Sequence, residues 1–336
     1  MTQAKSVSKE LKVSIITTEK NEAKNIKEFL DSALSQSLKP DEIVIADAAS
    51  NDGTVDIIKE YQKKHPEIKL VNAPGNRSVG RNAAIQAAKN NIIAVTDVGC
   101  RIDNNWLRNI TAPFKNGAEV VSGLFVAEPK TYFEEISTLL MLDDDHEIDV
   151  NTWLPSSRSI AFTKKAWSKA GKYPEYKEFG NAKVALLCGG EDTLYDLQLR
   201  EVGYKFHDGL DAVVYWRPRP TVVEFFKQYR MYSIGDGIRL VDFKHFKRLS
   251  FKLLLTFLGL ISGIVFWPIA LITVLLVIYR SFVRVLTKWK KKRSLNALLL
   301  MILLINIYDI AQVVGFWTGY YHRSELPAKK RYRFES

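Results

Sequence analysis

Two carboxylates stand where predicted strands end. Residues 43–47 and 92–96 are short apolar runs rich in β-branched side chains, which is typical of buried strands, and Asp47 and Asp97 come at or directly after their ends. In open α/β sheets, ligands bind at the carboxyl ends of the strands. Either aspartate alone could simply cap the following helix or turn. Two at matching ends favour a site for a metal ion or a polyanion.

A glycine-containing segment adds basic side chains to the same region. Residues 75–82 read GNRSVGRN and bring Arg77 and Arg81 to a predicted helix start. Guanidinium groups and helix N-termini both favour phosphate oxygens, although an arginine in this position is often only solvated. No G-x-G-x-x-G follows the first strand and no G-x-x-x-x-G-K-[ST] occurs, so a dinucleotide-binding turn and a P-loop are excluded.

The elements that must position these residues alternate between strand and helix. Predicted strands at 13–17, 43–47, 70–71 and 92–96 are separated by segments with helical spacing of apolar residues. Such alternation predicts an α/β fold with a mainly parallel sheet and helices on both faces.

Composition and cysteine content narrow the class of protein. The 336 residues are 47% hydrophobic and 25% charged, which excludes a disordered or collagen-like chain. Cys100 and Cys188 are too few for a disulfide framework and lack metal-site spacing. We therefore expect a reducing compartment.

The positive charge is concentrated at the C-terminal end. Residues 244–336 hold 16 Lys and Arg against 3 Asp and Glu, and they surround the apolar runs 253–279 and 295–317. Basic flanks around apolar runs indicate membrane segments and not a nucleic-acid surface. We expect two or three segments, at about 251–266, 268–286 and 295–318; the first long run fits either one span kinked at Pro268 or a hairpin.

The soluble part resembles glycosyltransferase family 2, the inverting nucleotide-sugar transferases of GT-A fold. The resemblance covers about residues 13–237 and rests on five segments in the order of the family: VSIITTEKNEAKNI, IVIADAASNDGT, NRSVGRNAAIQAA, IAVTDVGCRIDNNWL and GGEDTLYDLQLREVGYKF. It implies a GT-A-like catalytic domain over residues 1–240 and a membrane-associated region over 241–336.

The resemblance also implies a reaction and its residues. An acceptor oxygen attacks the anomeric carbon of a nucleotide-diphosphate sugar, and negative charge develops on the leaving diphosphate. Asp97 is the expected ligand of Mg²⁺ or Mn²⁺, which prefer oxygen donors. The full set of expected donor-binding residues is Thr17, Asp47, Ser50, Arg77, Arg81 and Asp97.

The acidic pair at 191–192 matches the position of the catalytic base. Asp192 is the expected base, with Glu191 beside it. Asp192 directly precedes a predicted helix, so a helix-capping role competes with the catalytic one. A lipid phosphate acceptor would already be ionised and would need no base.

Several positions depart from the pattern of the family. Asp97-Val98-Gly99 lacks the second carboxylate of the metal motif, and whether Asp103 replaces it stays open. Residues 228–232 only partly resemble the Gln-x-x-Arg-Trp motif of processive enzymes, which favours single-sugar transfer. Trp216, Gln228 and Arg230 are hypothetical acceptor or diphosphate contacts; an ordinary amphipathic helix explains the last two equally well.

We therefore predict a glycosyltransferase that moves a sugar onto a lipid-linked or glycan acceptor. It would be a multi-pass protein of the cell membrane, in contact with membrane lipids, with its catalytic domain in the cytoplasm, where nucleotide sugars are made. Two alternatives remain: a catalytically inactive membrane scaffold, suggested by the missing carboxylate, and a nucleotidyltransferase, which also uses Asp-bound Mg²⁺.

Overall fold

The computed structural model describes residues 11–142, 148–175 and 189–325, which divide into two compact units. The first contains residues 11–126, 148–175 and 191–216, and the second contains 127–142, 189–190 and 217–325. The predicted boundary at residue 240 therefore falls inside the second unit.

The first unit contains a sheet that is mixed and only partly parallel. Its order is β3-β2-β1-β4-β7-β6-β8-β5. β1, β2, β3 and β4 pair in parallel, whereas the β4–β7, β6–β7 and β5–β8 pairs are antiparallel. The strands are β1 Val13–Glu19, β2 Glu42–Asp47, β3 Ile68–Asn72, β4 Ile92–Val95, β5 Cys100–Ile102, β6 Val120–Ala127, β7 Ile160–Thr163 and β8 His207–Trp216.

Helices cover both faces of this sheet. The helices of the first unit are α1 Ile26–Leu34, α2 Thr54–Gln62, α3 Arg77–Ala87, α4 Trp106–Thr111, α6 Lys164–Lys169 and α7 Glu191–Glu201. Successive strand residues point to opposite faces, so Ile15 packs in the layer of α1 and α4, while Ile16 packs in the layer of α3 and α7.

The second unit is helical among its described residues. It contains α5 Tyr132–Met141, α8 Val222–Arg239, α9 Phe243–Ser262, α10 Trp267–Lys292 and α11 Leu295–His322. Glycines let α8 and α11 approach closely: a Cβ on Gly315 would lie 2.3 Å from the Arg230 carbonyl oxygen, and one on Gly319 would lie 2.0 Å from the Ile234 oxygen.

Two of the described helices are long and apolar enough to cross a membrane, over Trp267–Trp289 and Leu295–His322. Polar residues within them have protein partners. Asn306 donates to Ser281 Oγ at 2.8 Å, and the buried Asp309 accepts from Arg284 at 2.6 Å. This pairing offsets the desolvation of the polar groups.

Gly80 sets the distance between α3 and β1 and supplies a test of the fold. A Cβ there would lie 1.9 Å from Thr18 Oγ1 and 2.7 Å from Thr18 Cβ. Rotation of the Thr18 side chain can move the hydroxyl but not Cβ. We expect Gly80→Ala to lower the free energy of unfolding by about 1–3 kcal/mol, despite the better helix propensity of alanine.

Gly99→Ala is the matched control, because no heavy atom lies within 4 Å of a Cβ built there. Its effect should stay within about 0.5 kcal/mol. Urea unfolding of both variants in detergent measures the difference. Equal stabilities would contradict the close packing of α3 on β1.

Candidate functional site

The ends of β1 and β2 bring two acidic side chains together. Glu19 and Asp47 are paired in the register of these strands, and both are buried. The Asp47 carboxylate accepts the backbone N–H groups of Ala49 and Ser50 at 3.1 Å, and Ser50 Oγ donates to Glu19 Oε2 at 3.0 Å. The turn after β2 thereby fixes both carboxyl groups.

These two carboxyl groups have very different proton affinities. Burial, followed by the contact with Asp47, raises the pKa of Glu19 from 4.5 to about 8. Burial also opposes ionisation of Asp47, but hydrogen bonds from Glu19, Ser50 and the backbone outweigh it and lower the pKa of Asp47. Near neutral pH the pair therefore holds one proton, on Glu19.

Thr17 lies two residues before Glu19 and is fully buried in β1. Among the residues that the structure describes, its hydroxyl has no hydrogen-bond partner. Thr17 was expected to contact the donor; the structure places it beneath the acidic pair, inside the sheet.

Arg81 joins two carboxylates inside the first unit. Its side chain is only 2% exposed; Nη2 donates to Asp97 Oδ1 at 2.9 Å and Nη1 donates to Glu191 Oε1 at 2.7 Å. Gly80 allows α3 to approach the sheet here, and Asn76 caps the helix by accepting the Val79 N–H. The sequence interpretation put Arg81 on the diphosphate, but both terminal nitrogens are bonded to protein.

Asp97 follows β4 and is partly open, with 29% of its side chain exposed. Burial would raise its pKa, but the positive charges of Arg81, Arg158 and Arg77 outweigh burial and lower it. Arg77 is exposed on the first turn of α3. Asp97 is thus an ionised carboxylate among guanidinium groups.

Asp192 is the second residue of α7 and therefore lies inside the helix and not directly before it, as the capping hypothesis required. Its Oδ1 accepts the N–H of Thr193 at 2.9 Å, and its Oδ2 accepts the Ser156 hydroxyl at 3.3 Å. Ser156 Oγ in turn accepts from Arg158 Nη1 at 3.0 Å. A short polar chain therefore connects Asp192 to Arg158.

Aromatic rings hold Arg158 in place. Its guanidinium carbon lies 4.8 Å from the ring centre of Trp216 and 4.9 Å from that of Phe125. Trp216 ends β8, where it pairs with Cys100 in β5. Trp216 was an expected acceptor contact. It packs against Arg158, whose positive charge acts on Asp97.

In the second unit, α8 carries the other two expected contacts. Gln228 is buried and donates to the Tyr232 hydroxyl at 3.0 Å. The backbone of Arg230 packs on Gly315.

Arg239, in the last turn of α8, also contacts backbone of the second unit. It donates to the carbonyl of Gly190 and to Asp236 Oδ1. A Cβ on Gly190 would lie 2.5 Å from Arg239 Nη2. Arg239 therefore fixes the peptide that leads into Glu191.

Sequence reasoning missed Glu19, Ser156, Arg158, Asp196 and Arg239. Only Asp196 left a usable signal, because it stands four residues after Asp192 on one helix, a spacing that puts both on the same face. Burial, with the charge of Asp192, raises the pKa of Asp196 well above its ordinary value. The other four become visible only when distant segments meet.

Asp103 does not supply the missing second carboxylate. It follows β5, at the end opposite to Asp97, and its Oδ1 accepts the Asn105 N–H at 2.9 Å. Its backbone carbonyl accepts from Gln36 at 2.7 Å. Asp103 therefore shapes the turn into α4.

A divalent ion would have one protein ligand here. Within the described ranges 11–142, 148–175 and 189–325, no three His, Cys, Asp or Glu side chains are grouped as a metal site. Because Asp97 Oδ1 accepts a hydrogen bond from Arg81, Oδ2 is the oxygen with which Asp97 could bind the ion. Mg²⁺ is commonly held by one or two carboxylates together with substrate phosphates and water. The residues therefore fit an ion whose coordination a diphosphate completes.

The chain is similar to known glycosyltransferases. It is 25% identical over 244 residues to the dolichyl N-acetyl-alpha-D-glucosaminyl phosphate 3-beta-D-2,3-diacetamido-2,3-dideoxy-beta-D-glucuronosyltransferase of Methanococcus voltae, covering 68% of this chain and 74% of that protein. It is 32% identical over 192 residues to the poly(ribitol-phosphate) beta-glucosyltransferase of Bacillus spizizenii, covering 48% of this chain and 30% of that protein.

Among solved structures, a mannosyltransferase from Pyrobaculum calidifontis in complex with GDP-Man and Mn²⁺ aligns with a TM-score of 0.49 and 20% identity, over 66% of this chain and 61% of that one. The alignments thus span from 30% to 74% of these three proteins. Residues 14–162 match the family described as "Glycosyl transferase family 2". The part of the chain that these residues build is therefore similar to glycosyl transferase family 2.

Proposed function

We propose that this chain transfers a sugar, with inversion, from a nucleotide-diphosphate donor to a hydroxyl of a lipid-linked or polymeric acceptor at the cytoplasmic face of the cell membrane. The observation that carries the proposal is the cluster around Arg81. One buried guanidinium holds the strand-end carboxylate Asp97 beside Glu191, and Asp192 follows directly on α7. Asp97, the proposed acid on the donor side, and Asp192, the proposed acid on the acceptor side, therefore lie in the same unit.

The acidic pair at the ends of β1 and β2 is the proposed nucleoside contact. With one proton shared between Glu19 and Asp47, the pair can donate one hydrogen bond and accept others. Ser50 keeps the surrounding turn in position. Thr17, whose side chain is fully buried in β1, is left out of the proposed contact.

The diphosphate would lie between Asp97 and the arginines that remain near it. Arg158 and Arg77 supply positive charge toward Asp97, and guanidinium groups pair well with phosphate oxygens. A divalent ion on Asp97 would stabilise the charge of the departing diphosphate by several kcal/mol. Arg81 and Glu191 are positioning residues in this scheme.

Asp192 is the proposed general base. It removes the proton of the acceptor hydroxyl as the oxygen attacks the anomeric carbon from the side opposite to the diphosphate, which leaves with the electron pair of the broken bond. Ser156 orients the carboxylate by donating to Oδ2. Burial and the charge of Asp192 raise the pKa of Asp196, one turn later, which disfavours a second negative charge beside the proposed base.

The acceptor class is inferred from the relatives and from the apolar helices. One relative is named for a dolichyl phosphate-linked sugar and the other for poly(ribitol-phosphate), both of which offer hydroxyl groups. The long apolar helices of the second unit are weak evidence for a membrane. Attachment there would bring a lipid-linked acceptor within reach.

A panel of nucleotide sugars tests this function. The full chain in detergent is incubated with each donor, with and without Mn²⁺, and release of nucleoside diphosphate is measured. We expect at least one donor to be hydrolysed slowly and faster with an acceptor. Release of pyrophosphate from a nucleoside triphosphate would identify a nucleotidyltransferase, and no turnover of any donor would support an inactive scaffold.

Asp192→Asn should separate catalysis from helix capping. Loss of a general base lowers the transfer rate about 10²–10⁴-fold, whereas asparagine still caps a helix well. We expect transfer to fall by this amount while donor affinity and thermal stability stay unchanged. Glu201→Gln on the same helix is the control. A loss of transfer below about tenfold would contradict the assignment of Asp192 as base.

The proton on Glu19 predicts how stability varies with pH. The folded state keeps this proton up to about pH 8, while the unfolded state releases it near the ordinary glutamate pKa of 4.5. The unfolded state therefore binds fewer protons in this window, and stability falls as pH rises through it. Above about pH 8 Glu19 is ionised in both states, so its effect on the free energy of unfolding no longer changes with pH.

Glu19→Gln should remove this contribution. We expect the variant to gain stability relative to the unchanged chain as pH rises from about 5 to about 8, measured by urea unfolding at each pH. Glu28→Gln, on the exposed face of α1, should show no such trend. A constant difference between Glu19→Gln and the unchanged chain would mean that Glu19 is ionised in the folded state.

A further inference from the structure

Helices α9 and α10 form a tight antiparallel hairpin. A Cβ on Gly259 would lie 2.3 Å from Thr273 Oγ1, and one on Gly263 would lie 2.2 Å from the Cβ of Ala270. These glycines stand four residues apart on α9, a spacing that brings helix backbones close together in membranes. The hairpin is thus one packed element and not two independent segments.

The turn of this hairpin is apolar and exposed. Ile264 and Val265 are 84% and 92% exposed, and the large side chains of Phe266 and Trp267 are exposed beside them. No charged residue occurs anywhere from 253 to 279. Exposure of these apolar side chains to water is unfavourable. Large apolar patches on protein surfaces therefore mark interaction sites.

Four successive N–H groups at the turn of the hairpin are bonded within the hairpin. At the turn, the N–H groups of Gly263, Ile264, Val265 and Phe266 donate to carbonyls of residues 259–262, and Pro268 has no N–H. Thr256 and Thr273 each donate to a carbonyl four residues earlier on their own helix. This is the condition for placing a backbone turn in hydrocarbon.

The charge-free parts of the two arms are shorter than the hydrocarbon core of a bilayer is thick. Lys252 and Arg280 are the charged residues nearest the tip on the two arms. At ~1.5 Å per residue, Val265 lies about 20 Å beyond Lys252 and about 22 Å beyond Arg280. The hydrocarbon core is about 30 Å thick. A tip held at this depth ends inside the core, past its middle.

The base of the hairpin is basic and open. Lys244, Lys247, Arg248 and Lys252 are all exposed on α9, whereas Phe246 and Leu249 are buried against the rest of the unit. Lysine and arginine at this level suit the phosphates of anionic lipids. On α10 the first basic residue after the tip, Arg280, lies 3.5 Å from the Asp309 carboxylate, so the exposed basic residues that mark the membrane surface are those of α9.

We propose that the α9–α10 hairpin is a re-entrant membrane anchor. It enters an anionic bilayer from one face, turns at residues 263–266 within the hydrocarbon and leaves by the same face. The occupant of this exposed apolar surface is therefore lipid. Of the two possibilities that the sequence left open for this run, one kinked span or a hairpin, the proposal takes the hairpin, which makes no crossing over residues 243–292.

Cysteine labelling of the full chain in anionic proteoliposomes tests the topology. Val265→Cys should resist membrane-impermeant thiol reagents added on either side of the membrane. Lys247→Cys should react with them from one side. The unsubstituted chain, which carries Cys100 and Cys188, gives the background labelling for both variants. A fluorophore attached to Val265→Cys in detergent, before reconstitution, should be quenched by lipids brominated near the chain ends. Reaction of Val265→Cys from the side opposite to Lys247→Cys would show a crossing and overturn the proposal, and so would reaction from the same side.

A charge at the tip gives a second measurement that needs no labelling. Val265→Glu should weaken partitioning into vesicles of phosphatidylcholine and phosphatidylserine about 100-fold, by the cost of an acidic group in the bilayer core. Val223→Glu, at an exposed valine of α8, should leave partitioning unchanged. Equal partitioning of the two variants would exclude insertion of the tip. Neither readout uses the donor sugar, so failure of the proposed activity would not affect this test.

Discussion

The first unit depends on one buried cation. A guanidinium that is almost completely removed from water must be paired, because an unpaired buried charge costs several kcal/mol. Arg81 meets this requirement with carboxylates from two distant parts of the chain, Asp97 after β4 and Glu191 at the start of α7. These ion pairs offset the cost of burying Arg81. They also hold Asp97, at the end of β4, next to α7, the helix that carries Asp192.

This pairing changes which groups are available to a ligand. Arg81 is paired with protein carboxylates, whereas Arg158 and Arg77 contribute further positive charge near Asp97. Arg158 itself packs against two aromatic rings and donates to Ser156. Near Asp192, burial raises the pKa of Asp196 well above its ordinary value. The proposed site thus has one carboxylate for the donor side, Asp97, and one for the acceptor side, Asp192.

Much of the sheet could be predicted from the sequence, because β1 to β4 alternate with amphipathic helices and show the short apolar runs of buried strands. The antiparallel part could not, since β5 to β8 are separated by irregular segments whose pairing depends on distant residues. The same limit applies to the site. Asp47 and Asp97 stand at strand ends and were visible, but the partners of Arg81 are 16 and 110 residues away. An arginine at a helix start looks the same in sequence whether it faces a ligand or two carboxylates.

The most direct measurement compares the unfolding free energy of Arg81→Met with that of the triple variant Arg81→Met, Asp97→Asn, Glu191→Gln, both in detergent. If Arg81 exists to pair these carboxylates, the single change should cost about 3 kcal/mol by leaving buried charges without a partner, and the triple variant should recover most of that loss. If Arg81 instead contacts the donor, the single change should leave stability almost unaffected and mainly weaken donor binding. The second result would contradict the role given to Arg81.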